Sequence, residues 1–135
     1  MSFKLIDYSE HYFLKLAGEP IPESREGKFV QIRHGDKEYL VLSPSKLSKY
    51  HSNIVERFCE SNGIDGYWNS GKTSYQIVAD SWRVVGGGRW VMNSNKKTLD
   101  LGSSSQAYGR FDSASLKTKI LSLKAMRGYI VKIGD

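Results

Sequence analysis

The chain has 135 residues, of which 39% are hydrophobic and 25% charged, and a formal net charge of +6. That length suits one domain with a real core, and the composition is that of an ordinary globular protein without a disorder-prone tract. No apolar run approaches the roughly 18 residues that a membrane span requires, and Lys4 interrupts the short apolar start, so neither a bilayer span nor a secretory leader is expected.

Cys59 is the sole cysteine, which excludes an internal disulfide and suits a reducing, cytoplasmic setting. It falls in an apolar helical pattern, where a buried, inert thiol is expected. The surplus of positive charge favours anionic partners. The basic residues are scattered, however, with Lys96-Lys97 their one adjacent pair, so charge alone does not choose a partner.

In chain order, residues 1–27 give no clear element, broken as they are by Pro20 and Pro22. Lys28-Phe29-Val30-Gln31-Ile32-Arg33 alternates as a strand does, and Gly35-Asp36 turns the chain into a second strand, residues 38–42. Ser43-Pro44 predicts a helix start, a hydroxyl N-cap followed by proline at the first helical position. Leu47, His51, Ile54, Val55 and Phe58 then recur at three- and four-residue steps up to Asn62-Gly63, which puts His51 mid-helix on the apolar face.

Residues 65–72 read as a loop, and residues 74–80, 83–85, 89–92 and 98–101 as strands, with Asn93-Ser94-Asn95 as a turn. Asp112 or Ser113 is expected to cap a second helix carrying Leu116, Ile120 and Leu121, ended by Gly128. Residues 129–133 close the chain as a strand. The prediction is an α/β (α+β) domain over residues 1–135, a single small mixed β-sheet flanked by two helices.

Gly66-Tyr67-Trp68-Asn69-Ser70-Gly71-Lys72-Thr73 satisfies the phosphate-loop spacing G-x-x-x-x-G-K-[ST]. That motif works when a buried strand precedes it and a helix follows, so that amides and helix dipole converge on the phosphates. Here a helix ends just before it and β-branched and aromatic residues follow. A surface hairpin or loop is the expectation.

Two other stretches are better placed for an anion. Gly86-Gly87-Gly88-Arg89 offers bare backbone and a permanent cation, and Ser103-Ser104-Ser105-Gln106-Ala107-Tyr108-Gly109 a small-residue loop ahead of the second helix. Each feature also has a plain structural reading. The glycines suit a bulge or tight turn, Arg89 a surface ion pair, Lys28 a solvated strand end, and His51 a hydrogen-bonded core histidine. His11 and His34 show no metal-ligand pattern, and Tyr108 is expected to pack rather than react.

The order and local sequence of four stretches resemble the small phosphohistidine phosphatases, the janus/ocnus family. They are Lys28-Phe29-Val30-Gln31-Ile32-Arg33, Lys49-Tyr50-His51-Ser52-Asn53-Ile54, Gly86-Gly87-Gly88-Arg89, and Ser105-Gln106-Ala107-Tyr108-Gly109 with Lys117-Thr118-Lys119-Ile120 beyond it. The resemblance covers most of residues 28–120. It implies metal-independent hydrolysis of a phosphoramidate, without a cofactor, on a phosphohistidine-containing protein substrate. It implies a monomer with no nucleic-acid or membrane partner.

Carried over by position, His51 becomes the catalytic histidine, as general base or nucleophile, Arg89 and Lys28 contribute positive charge, and Ser105, Gln106 and Ala107, with Gly88, hold the phosphoryl group. Three features depart from the family pattern: Asn53 stands where an acidic residue is expected, residues 63–82 are longer, which suggests an inserted hairpin, and Arg110-Phe111 replaces the usual continuation. Two other readings follow from the same features. One is a non-catalytic module that binds phosphorylated protein. The other is a basic nucleic-acid-binding domain with Trp68, Tyr75, Trp82 and Trp90 as stacking surfaces.

Overall fold

The computed structural model describes residues 2–135 and is a mixed α+β fold. Its main sheet runs in the order β1-β3-β2-β6-β7-β8, formed by Ser2–Asp7 (β1), Ser24–His34 (β2), Lys37–Pro44 (β3), Trp82–Asn93 (β6), Thr98–Gly102 (β7) and Ile130–Ile133 (β8). The central pairings β3-β2-β6-β7 are antiparallel, and the two outer strands pair parallel with their neighbours. Helix α1, His51–Asn62, covers one face, and the short helix α2, Leu116–Leu121, the other. A small hairpin of Gly66–Trp68 (β4) and Tyr75–Ile77 (β5) sits beside α1.

The period-two alternation of the strands decides the two cores. Val30, Ile32 and Val41 turn to the α1 face and pack with Ile54, Val55, Phe58 and Cys59. Their neighbours Phe29, Leu40 and Leu42, with Trp90, Met92, Leu99 and Leu101, turn to the α2 face and meet Leu116, Ile120 and Met126. Cys59 is fully buried, and burial pushes its thiol up to about 11, so it is un-ionised and inert near neutral pH.

On the α2 face the Glu38 carboxylate is sealed from solvent. It accepts hydrogen bonds from Arg33 Nε at 2.8 Å, Gln31 Nε2 at 3.0 Å and Lys119 Nζ at 3.1 Å. Arg33 also pairs with Asp112 at 2.9 Å, so this satisfied cluster pins the approach to α2 onto β2 and β3.

Several local expectations are corrected. Ser43-Pro44 ends β3 instead of starting a helix, and α1 begins at His51, with Tyr50 as its N-cap. The Ser43 hydroxyl bonds Ser48 at 2.7 Å, inside a tight turn that delays the helix. The unread N-terminus supplies β1, a π-helical segment Glu10–Leu16 and the first residues of β2. The triple glycine is neither turn nor break. It continues β6, and the bulge falls at Val85, where the pairing with β2 slips between Gln31 and Ile32. The segment 66–73 forms β4 and its turn, a hairpin as expected from its residues, and no helix follows it. No helix among the described residues is long and apolar enough to cross a membrane.

Candidate active site

The site is built around Gly87. Strand β7 pairs with β6 from Asn93 back to Arg89, where it reaches Gly102 and departs. The vacated edge of β6 is taken by the returning chain, and the Gly87 N–H donates to Gly109 O at 3.1 Å. The loop 103–109 therefore stands where β7 leaves the sheet, directly beside the triple glycine. On the other side of Gly87 lies the imidazole of His51. A Cβ at Gly87 would come within 2.8 Å of His51 Cδ2 and 2.5 Å of Phe29 O, so only glycine lets the ring lie against the sheet.

His51 is the first residue of α1 and is 7% exposed. Its Nε2 lies 2.9 Å from Gly88 O. A carbonyl only accepts, so Nε2 carries the proton and Nδ1 holds the lone pair of the neutral ring. Nδ1 has no partner among the described residues, and His51 lines a cleft of about 930 Å³. Burial lowers the pKa of this imidazole from its ordinary value, the Gly88 carbonyl opposes that shift, and the charges of Lys28 and Arg89 add to it. The helix N-terminus acts in the same sense. The ring is a neutral base at physiological pH.

Asn53 explains its own place. Its Oδ1 accepts the Tyr50 N–H at 3.0 Å, the reciprocal half of a capping box. An acidic residue three positions into a helix would make the same bond, so asparagine preserves the helix start that presents His51. The Ser52 hydroxyl donates to Thr73 O at 3.1 Å, tying this helix start to the β4–β5 hairpin.

The loop 105–109 closes on itself. The Ser105 N–H donates to Gly109 O at 3.0 Å, the Gly109 N–H to Ser105 O at 2.8 Å, and the Tyr108 N–H to Ser105 Oγ at 3.1 Å. Gly109 sits at φ +82, a backbone conformation that favours glycine. The amides of Gln106 and Ala107 make no hydrogen bond among the described residues, and both residues line the same cleft as His51. The N–H groups of His51 and Ser52, at the start of α1, are likewise unpaired, as helix geometry requires.

The sequence-predicted residues thus divide. His51, Gln106 and Ala107 meet at the cleft. Ser105 is buried, and its amide and hydroxyl are spent on closing the loop. Gly88 meets His51 through its carbonyl, an acceptor at 2.9 Å that steadies the ring, and it does not line the cleft. Lys28 and Arg89 are cross-strand partners on the α1 face of the sheet and do not line the cleft. Their charges reach His51 nonetheless. Like charges directly opposite on neighbouring strands repel, and an exposed 3.9 Å contact from Arg89 to Glu26 partly offsets them.

Two contributors escaped the sequence reading. One is the α1 N-terminus, concealed because Ser43-Pro44 imitates an earlier start. The other is the β4–β5 hairpin, which supplies Trp68, Lys72 and Gln76 to the cleft wall. The Tyr108 hydroxyl bolts the loop to this hairpin, donating to Tyr75 O at 2.7 Å and accepting the Tyr75 N–H at 3.1 Å. Two of the four aromatic residues offered for stacking are buried, and Trp68 and Trp82 are half-buried. Trp90 is fully buried, with its indole N–H on Lys28 O and Ser43 O, and Tyr75 is 7% exposed.

No protein-family model matches the chain, and no curated protein matches it.

Proposed function

We propose that the chain is a phosphohistidine phosphatase, hydrolysing the P–N bond of a phosphoramidate without a metal ion. The observation that carries this reading is the setting of His51: Nε2 is held by Gly88 O at 2.9 Å, Nδ1 is unpaired among the described residues, and the residue lines one cleft with Gln106 and Ala107, whose amides are unpaired too. The resemblance of the four stretches to the janus/ocnus family supports it independently.

In this reading the phosphoryl oxygens lie on the amides of Gln106 and Ala107 and at the N-terminus of α1, where donors are already oriented and need no reorganisation. His51 Nδ1 either takes a proton from the attacking water, or attacks phosphorus itself to form a phospho-His51 whose P–N bond water then cleaves to release phosphate. The substrate's phosphorylated nitrogen, protonated, departs as the P–N bond breaks, so the leaving group needs no metal to stabilise it. Burial, with smaller help from Lys28 and Arg89, lowers the pKa of His51, and the two cations add positive potential for the incoming dianion.

The test is release of phosphate from phosphoramidate and from a phosphohistidine protein. His51→Ala should lose about 10³-fold, in line with general-base contributions of 10²–10⁴, while its far-ultraviolet circular dichroism stays unchanged. Activity should persist in EDTA. Phosphopeptide binding without turnover, equal in wild type and His51→Ala, would replace the enzyme by a recognition module.

A further inference from the structure

The cleft has two unlike walls. The first, formed by the α1 N-terminus and the tip of the 105–109 loop, carries the imidazole and the unpaired amides. The second is the β4–β5 hairpin, with Trp68, Asn69, Lys72 and Gln76. Lys72 is the one lining residue with a permanent charge, no carboxylate lines the cleft, and Lys72 makes no ion pair among the described residues. At about 930 Å³ the cleft lies near the upper end of ligand-pocket volumes, far larger than a phosphoryl group alone needs.

Lys72 is also held in place. Its N–H donates to Asn69 O at 2.9 Å, and its backbone sits at φ 54, in the left-handed region where a side chain carries a penalty and glycine none. Asn69 Oδ1 accepts the N–H groups of Thr73 at 2.8 Å and Ser74 at 3.1 Å, and Asn69 Nδ2 donates to Thr73 Oγ1 at 2.9 Å. Through Ser52 and Tyr108 the hairpin is joined to α1 and to the loop. The backbone that carries Lys72 is therefore fixed relative to the phosphoryl end of the cleft.

We infer that the β4–β5 hairpin is the substrate-selecting wall of this cleft, and that Lys72 pairs there with an acidic side chain next to the phosphorylated residue of a protein substrate. The inference rests on the phosphoryl assignment made above. The phosphoryl group already has its donors on the first wall, so the lone cation of the second wall meets what flanks it. A carboxylate is the complementary group, and no carboxylate among the lining residues competes for Lys72.

Two peptides carrying a non-hydrolysable phosphohistidine analogue test this, one flanked by aspartates and one by lysines. Their affinities for wild type and for Lys72→Gly are measured by calorimetry. Glycine suits the left-handed backbone at this position, so the variant keeps the hairpin while losing the charge. Wild type should prefer the aspartate-flanked peptide by about tenfold, the size of a well-placed charge-assisted contact. Lys72→Gly should lose that preference through weaker binding of the aspartate-flanked peptide alone. A wild type without preference, or a preference that survives in Lys72→Gly, overturns the inference. So does an equal loss for both peptides, which would make Lys72 a phosphoryl ligand. If wild type binds the aspartate-flanked peptide selectively through Lys72 yet releases no phosphate from phosphoramidate, the hydrolytic reading falls and the selecting wall stands.

Discussion

Two segments of this chain look like phosphate loops, and they behave in opposite ways. Residues 66–73 have the formal spacing, but that spacing is spent on making a hairpin. The Asn69 side chain has taken the amides of Thr73 and Ser74, the Lys72 amide is bonded to Asn69 O, and a strand follows where the dipole of a helix would be needed. Residues 105–109 match no phosphate-loop spacing, yet they close through three amides and leave those of Gln106 and Ala107 free, beside the N-terminus of a different helix. A motif is a spacing. A site is the place where donors remain unpaired within reach of a group that can act.

That contrast can be broken by removing single amides. Ala107→Pro deletes one unpaired donor without changing charge, and turnover of phosphoramidate should fall by about 10²–10³, the usual consequence of losing an oxyanion donor. Retained turnover would mean that the loop amides do not carry the anion. The melting temperature of the variant separates this from unfolding.

A second, smaller effect concerns the pH profile. The acid limb of kcat/KM should lie below the ordinary histidine value, because burial, with Lys28 and Arg89, lowers the His51 pKa and the reaction needs the neutral ring. Protonated His51 is repelled by Arg89, so Arg89→Ala should raise that pKa and move the acid limb upward. At pH 7 this variant should lose less than Ala107→Pro does. An acid limb that stays where it was would separate Arg89 from the imidazole.

The smallest effect is expected in the segment with the formal spacing. Gly71→Pro alters an exposed turn outside the cleft lining, so phosphoramidate turnover should stay within about twofold, the range of surface changes away from structural features. A loss as large as that of Ala107→Pro would reverse the comparison between the two loops.

The four stretches behind the candidate site were legible because they are local: a strand opening at Lys28, an apolar helical stripe through His51, three glycines before Arg89 and a small-residue loop at 103–109, of which the second and fourth line the cleft. The alternation of residues 28–33 likewise gave the strand, and the two cores take its opposite faces. The start of α1 was misread because Ser43-Pro44 has good capping chemistry. What defeated it was the pairing of Ser43 with Lys28 across the sheet, a long-range contact that local propensity does not contain. The N-terminal strand was illegible for the same reason, since β1 is defined by its parallel register with β3.

By itself, then, the sequence determined a mixed sheet flanked by two helices, a buried inert Cys59 and the residue types available for phosphoryl chemistry, since these follow from periodicity and composition. Only the tertiary structure decided which of them meet. It set His51 at a helix start instead of a helix middle, turned Gly88 into the group that fixes the tautomer and brought the hairpin over the cleft. The physical reason is that an amide's availability depends on what the rest of the fold leaves unpaired. That account is closed only when strands distant in sequence have found their partners.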